Sequence, residues 1–336
     1  MPGLTKTVSE KKIGTPPHED LLSINNLKVY YYTRKGSIKA VNDVSLKIKG
    51  GEVFGLAGES GCGKSTLAYT ILGLITFPRY VESGSIFFNG KDILKLSKKE
   101  LQKLRWNEIS IITQSAMNAL NPVMRIKEQM IDGMLAHGYY TQEKEASDLA
   151  AKMLRLVKIS DLKLKSYPHE LSGGMRQRVT MASAMAMHPK LMIADEPTTA
   201  LDVVVQKSFL QTMLDLKERL NISILFITHS ISILAEISDV IGIMYAGKLV
   251  EVASTEDIFY NSKHPYTTGL IASTPSVRGK KKDIKGIPGS PPDLISPPNG
   301  CLFHPRCPYA FDKCRVEHPE LVDIGGGHQV ACYLVK

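Results

Sequence analysis

Long apolar runs are missing from this sequence. No stretch of its 336 residues approaches the ~18 consecutive apolar residues of a membrane-spanning helix. Residues Met1 to Asp20 are polar and hold no apolar segment of a secretory signal, so a cytosolic chain that reaches any membrane through partners is expected. Cysteine is scarce: five residues, four of them beyond position 300. In a reducing compartment such clustering suggests a metal site more than disulfides. Acids are outnumbered, 33 against 42 Lys and Arg, and the net charge of +9 favours anionic partners without selecting one. Internal repeats and low-complexity blocks are also lacking. Hydrophobic residues are not scarce, at 43%, which excludes disorder throughout and allows about two domains, or one with an appendage.

Strand and helix patterns alternate along the chain. From Leu22 the period is two (Ile24, Leu27, Val29, Tyr31), and Val44 to Ile48 follows in the same manner. Glu52 to Ala57 is a buried-strand run, and Lys64 to Leu74 has helical spacing. Ser97 to Lys165 is Leu/Met/Lys/Glu-rich and reads as a mostly helical insert, with a strand at Ile109 to Thr113. Strand-like runs return at Leu191 to Ala194 and Ile222 to Ile227, with a helix at Val203 to Leu220 between them. Strands alternating with helices indicate a parallel α/β sheet. Val240 to Val252 reads as a hairpin turning at Ala246-Gly247. Thr274 to Asn299 holds six prolines and the run Lys280 to Lys282, the composition of an extended arm, its lysines solvated or near headgroups.

Chemistry enters with Gly58-Glu59-Ser60-Gly61-Cys62-Gly63-Lys64-Ser65, a match to G-x-x-x-x-G-K-[ST] between a predicted strand and a predicted helix. Glycines let backbone N–H groups curl around a phosphate, and the helix N-terminus adds positive dipole. Lys64 would reach the β- and γ-phosphates, the Ser65 hydroxyl would ligate Mg²⁺, and Thr66 continues the same turn. Cys62 reads as a small spacer with no redox role. Downstream, Leu191 to Asp195 is an apolar strand ending in Asp195-Glu196. Asp195 would hold the Mg²⁺ shell and Glu196 would polarise the attacking water. These two motifs suit a kinase or a GTPase as well as an ATPase.

Leu171-Ser172-Gly173-Gly174-Met175-Arg176-Gln177-Arg178 narrows the choice. With it the chain resembles the ATP-binding-cassette (ABC) ATPases over about residues 22–260. The resemblance implies an α/β P-loop NTPase fold: a RecA-like parallel core, an antiparallel β subdomain and a helical subdomain at about 115–180. It places Gln114 at the Q-loop, Ala200-Leu201-Asp202 at the D-loop and His229 at the switch histidine. It assigns adenine stacking to Tyr31, with Tyr30 and Tyr32 as alternatives. It implies that two cassettes close head-to-tail around two ATP molecules, with Ser172, Gly173 and Gly174 of one facing the γ-phosphate held by the other. Gln114 would join Ser65 and Asp195 around Mg²⁺ and couple the site to a membrane partner, while His229 would steady the γ-phosphate.

His264-Pro265-Tyr266-Thr267, Leu120-Asn121-Pro122, Tyr167-Pro168-His169-Glu170 and Gly300-Cys301-Leu302-Phe303-His304-Pro305-Arg306-Cys307-Pro308 carry the resemblance further, to the ATPases of oligopeptide, dipeptide and nickel importers. It then spans nearly all of the chain beyond residue 20. It implies an ATP-hydrolysing subunit on the cytoplasmic face of the cell membrane, with two transmembrane permeases docked around Gln114 to Arg125. A second, distinct cassette and an extracytoplasmic solute-binding protein complete the assembly, and no nucleic acid is expected. Oligosaccharide or nickel uptake is the alternative, and a non-transport ABC ATPase acting on DNA or ribosomes the remote one. The expected divisions are a tail at 1–20, the cassette at 21–260, a linker arm at 261–300 and a cysteine-rich module at 301–336. Cys301, Cys307, Cys314 and Cys332 lack the C-x2-C pairs of zinc ribbons. Four thiolates suit a [4Fe–4S] cluster, Cys307-Pro308 is similar to the Cys-Pro of ferredoxins, and importer ATPases resembling this tail carry such a cluster. The cluster is therefore the expectation; zinc, and free or disulfide-linked cysteines, are the alternatives. His304 and His328 are alternative ligands, but read first as surface residues.

Overall fold

A computed structural model describes residues 20–114, 119–138, 140, 142–199, 201–273 and 286–335. The tail before Asp20, Ala200 of the D-loop, Lys280 to Lys282 and part of the Gln114–Arg125 surface lie outside the described residues. Burial alternates along Asp20–Thr33 (β1) and Gly36–Lys49 (β2), which pair antiparallel with one face in the core. Val53–Ala57 (β3) is buried at all five positions, as a strand covered on both faces must be. It enters the helix Lys64–Ile71 (α1) through the glycine-rich turn. That helix ends short of the expected Leu74 because Gly73 takes a left-handed φ of 62°. Arg79–Phe88 (β4) and Lys91–Asp92 (β5) complete a four-stranded antiparallel sheet in the order β2-β1-β4-β5.

The stretch after Ser97 supplies Lys98–Leu104 (α2), Ile126–Ala136 (α3) and Glu143–Leu156 (α4). Between α2 and α3, Ile109–Ile112 (β6) leaves the helical stretch and joins Leu191–Asp195 (β7) in parallel. Ala146, Ala150, Met153 and Leu154 form the buried stripe of α4 and pack towards α3 and towards Gly173–Met185 (α5). Val203–Leu220 (α6), Ser223–Thr228 (β8), Ile231–Ile237 (α7), Val240–Tyr245 (β9) and Lys248–Ser254 (β10) follow. The β9–β10 hairpin turns at Ala246 and Gly247, both at positive φ, the geometry of a tight primed turn.

The chain then adds Thr255–Asn261 (α8), Pro265–Ala272 (α9), Asp312–Val316 (α10), Val322–Asp323 (β11) and Gln329–Val330 (β12). The main sheet runs β11-β12-β10-β9-β3-β8-β7-β6, parallel from β9 to β6. Parallel strands alternating with helices make this the α/β core of a P-loop NTPase.

Two parts of the C-terminal region differ from the sequence reading. The arm opens on a partly buried helix: Pro265 stands in the first turn of α9, His264 Nδ1 accepts from Tyr266 N at 3.1 Å, and Tyr266 and Thr267 are fully buried. His328 is not a surface residue. Its Nε2 lies 2.8 Å from Oε1 of Glu251, a fully buried carboxylate that also accepts from the amides of Lys263 and His264. A carboxylate at that depth requires several partners, and His328 supplies one. Among the described residues no helix is long and apolar enough to cross a membrane.

Candidate functional site

β3, β7 and β8 run parallel, so their C-terminal ends open on one edge of the sheet, where α/β folds place ligands. The loop after β3 sits there. Gly63 has φ 105°, and a Cβ on it would lie 1.9 Å from the Ala40 carbonyl oxygen, so only glycine fits. Lys64 is almost fully buried; its Nζ donates to the carbonyls of Gly58 at 2.8 Å and Glu59 at 3.1 Å. Cys62 is buried beneath the loop, and burial pushes its thiol pKa up against the pull of Lys64, which suits an inert spacer. A cavity of about 370 Å³ opens on the loop at Ser60, Gly61, Gly63, Lys64, Ser65 and Thr66. Tyr31, Ile38, Ala40 and Leu294 give it an apolar wall, and Gln114 and Glu196 a polar one.

Of the three tyrosines weighed for the base, Tyr31 lines this cavity, and its hydroxyl lies 2.9 Å from that of Thr66. Tyr30 donates to Asn42 Oδ1 and stands edge-on to Tyr80, while Tyr32 packs on Phe77.

Both acids sit at the end of β7. Asp195 is buried, and burial raises its carboxyl pKa, with the Ser65 hydroxyl and Lys64 pulling it back down. Asp195 Oδ1 has no hydrogen-bond partner. A hard cation shared with Ser65 would satisfy that orphaned oxygen, so the residues present fit Mg²⁺. Glu196 adopts a left-handed φ of 47°, fixed by its amide on the Ile227 carbonyl of β8 at 2.8 Å. Its carboxylate gathers three side chains: Gln114 Nε2 at 3.3 Å, Thr199 Oγ1 at 3.2 Å and His229 Nδ1 at 3.2 Å. The structure thus brings Gln114, Glu196 and His229 together over the phosphate loop.

Known proteins resemble this chain in sequence and fold. The family model described as ABC transporter matches residues 41–199, and the one described as Oligopeptide/dipeptide transporter, C-terminal region, matches residues 250–314. The chain is 41% identical over 330 residues to the oligopeptide transport ATP-binding protein OppD of Salmonella typhimurium, covering 97% of this chain and 98% of that one. It is 43% identical over 319 residues to the oligopeptide transport ATP-binding protein AppD of Bacillus subtilis, covering 94% and 97%. The chain belongs to the ABC transporter ATP-binding family. Among solved structures, the dimeric ATP-binding cassette MJ0796 bound to ADP and Pi matches with TM-score 0.62 and 26% identity, over 70% of this chain and 98% of that one. The cassette cbiO1 from Clostridium perfringens matches with TM-score 0.63 and 28% identity, over 73% and 92%.

As an ABC ATPase, the chain keeps its signature segment apart from its own loop. Ser172 caps α5, its Oγ accepting from Met175 N at 3.3 Å, and Gly173 and Gly174 form the first turn. Gly174 faces Val205 of α6, and Asp202 caps that helix through Val205 N at 2.9 Å. None of these four residues lines the cavity around Lys64.

The tail corrects the iron–sulfur expectation. Cys301, Cys307, Cys314 and Cys332 line one pocket with Phe303, His304 and Tyr333, yet the open space there is about 10 Å³, about that of one water. All five cysteines are free. Burial raises the Cys301 thiol pKa to about 11 and pushes those of Cys307 and Cys332 up as well. Among the described residues no group of three or more His, Cys, Asp or Glu is arranged to hold a metal ion. The donor set suits a cluster, but the arrangement of the described residues gives that reading no support.

Sequence reasoning missed several residues at the site. Leu294, Ile38 and Ala40 line the cavity, Gln177 Nε2 donates to the Pro197 carbonyl beside Glu196, and Tyr266 and Arg306 hold Glu59. Tyr266 and Arg306 lay within family motifs but carried no assigned role.

Proposed function

We propose that this ABC ATPase is the motor subunit of an importer for oligopeptides or dipeptides. The convergence of Gln114 and His229 on Glu196 above the phosphate loop carries the catalytic part. The 41–43% identity to proteins named for oligopeptide and dipeptide transport supports the solute class. In this reading the loop amides and Lys64 hold the ATP phosphates, and the adenine lies on Tyr31. Ser65, Asp195 and Gln114 would hold Mg²⁺, which would supply positive charge to offset that of the ATP phosphates. Glu196 orients the attacking water, its carboxylate fixed by Thr199 and Gln114, and His229 steadies the γ-phosphate. Ser172, Gly173, Gly174 and Asp202 would serve the site of a second cassette.

The same reading puts the chain peripherally on the cytoplasmic face of the membrane, against two permeases, with a distinct second cassette and an extracytoplasmic solute-binding protein. It divides the chain into a cassette at 21–260 and a C-terminal arm and tail. The [4Fe–4S] reading of the tail rests on its four-thiol donor set, on Cys307-Pro308 and on the resemblance to importer ATPases with such a tail. Visible absorbance with acid-labile sulfide after anaerobic purification would restore it. For the function as a whole, the tagged chain is purified from detergent-solubilised native membranes and its partners are identified by mass spectrometry. Two permeases, a second cassette and a peptide-loaded binding protein are the expected recovery. Ribosomal or DNA-repair proteins without a permease would overturn the transport reading, and a binding protein loaded with sugar or nickel would overturn the solute class.

A further inference from the structure

Glu59, the second residue of the phosphate loop, is held from the far end of the chain. Arg306 Nη1 donates to Glu59 Oε2 at 2.7 Å and Nη2 to Oε1 at 2.9 Å, a two-pronged ion pair across 247 positions of sequence. The amide of Glu59 donates to Tyr266 Oη at 3.0 Å. Arg306 is itself immobilised, its side chain 5% exposed. Nε donates to the Pro288 carbonyl at 2.8 Å, Nη1 also reaches Tyr245 Oη at 3.3 Å, and the guanidinium lies over the rings of Tyr245 and Phe303. A planar fork packed in this way presents a fixed geometry to the carboxylate it holds.

The same segment also reaches the cavity itself, through Leu294. Leu294 O accepts from Lys39 N of β2 at 3.1 Å, and the Leu294 side chain joins Tyr31, Ile38 and Ala40 in the apolar wall. A nucleotide presents an apolar, stackable base at one end and phosphates at the other. The arm therefore lines the wall where the base would lie and, through Glu59, holds the loop that would bind the phosphates.

We propose that residues 286–306 form a positioning clamp of the nucleotide site, in which Arg306 holds the phosphate loop through Glu59 and Leu294 packs against the base. The clamp rests on the reading of this cavity as the ATP site. Arg306 is a positioning residue: it acts by holding the loop amides in register before phosphate arrives, so that less order has to be created on binding. The sequence kept this hidden because no local period links position 59 to position 306.

The test uses the full chain and two probes with Mg²⁺, ATP and inorganic tripolyphosphate, titrated by calorimetry. Leu294→Ser should weaken ATP about fivefold and leave tripolyphosphate unchanged, since the latter has no base to bury. Arg306→Ala should weaken both probes by a similar factor, about tenfold, because it leaves a partly buried carboxylate without its partner. Glu59→Gln breaks the pair from the loop side and leaves the tail's own packing in place, so it decides the matter if Arg306→Ala fails to fold. The double variant should bind no more weakly than Arg306→Ala alone. Wild-type affinity in Glu59→Gln, or a Leu294→Ser loss equal for both probes, would overturn the clamp while leaving the ATP site standing. A wild-type chain that binds neither probe would overturn the site reading and the clamp with it.

Discussion

The phosphate-loop edge and the cysteine tail handle buried polar groups in opposite ways. At the edge, Asp195 Oδ1 is buried with no partner, and Glu196 is held at a left-handed φ with its carboxylate turned to a cavity of about 370 Å³. Where the tail packs on β10, the fully buried Glu251 of that strand accepts from two backbone amides and meets His328 of the tail, and the four tail thiols surround a space of about 10 Å³. A buried acceptor left unsatisfied next to open space marks where a ligand belongs. A buried acceptor with every partner present marks scaffold. By that criterion Asp195, with its orphaned oxygen, stands on the ligand side and Glu251 on the scaffold side, without reference to any relative.

The comparison breaks most visibly at its two glutamates. Glu196→Gln keeps the shape and the contacts to Gln114 and Thr199 but removes the charge that would polarise water in the proposed reaction. Phosphate release by the assembled complex should fall by about 10²–10³-fold, with ATP binding within a few-fold of wild type. Unchanged turnover would show that Glu196 is not the catalytic carboxylate. Glu251→Ala should do the reverse. It leaves His328 and two amides without their acceptor, so the chain should lose about 3–5 kcal/mol of stability in denaturant unfolding. Nucleotide affinity should change far less than stability does.

How much of this was legible depends on how local each signal is. The phosphate loop, the β3 and β7 runs and the β9–β10 turn are contiguous, and each was read from a few adjacent residues. Gln114, Glu196 and His229 lie far apart in sequence, and only the order of family motifs joined them. β4 left little mark, since its burial is confined to Ile86 and Phe88 while Glu82 to Gly84 face solvent. α9 was hidden by Pro265, which reads as a breaker yet suits the first turn of a helix. The depth of His328 was invisible, because a histidine carries no sign of its partner until β12 places it beside β10.

His264 sharpens the scaffold side through pH. Burial lowers its pKa from 6.5 to about 3, so it stays neutral in the folded chain while the unfolded chain takes up a proton below about pH 6.5. The unfolded state then binds more protons, and stability falls as pH drops from about 6.5 towards 3. The limiting slope from this one group is about 1.4 kcal/mol per pH unit. His264→Asn keeps an acceptor for the Tyr266 amide and removes the ionisation. Urea unfolding of both proteins between pH 4 and 7 should show a shallower acid limb in the variant, and identical limbs would remove His264 from the account.

The smallest effect lies in the thiols, and it tests how far burial shields the tail cysteines. With the Cys301 pKa raised to about 11 by burial, little thiolate is present near neutral pH. Alkylation of Cys301 by iodoacetamide, followed by peptide mass spectrometry, should rise about tenfold per pH unit from pH 8 and level only near its raised pKa. An exposed cysteine levels about two units lower, near its ordinary value. Raising the pH through that window also removes protons from the unfolded thiol before the folded one, so the cluster's contribution to stability declines between about pH 9 and 11. A Cys301 that alkylates as fast at pH 8 as a free peptide thiol would show an open tail. One that resists alkylation at every pH until a chelator or oxidant is added would show thiolates committed to a metal, and the contrast between the two regions would then be one between two ligand sites.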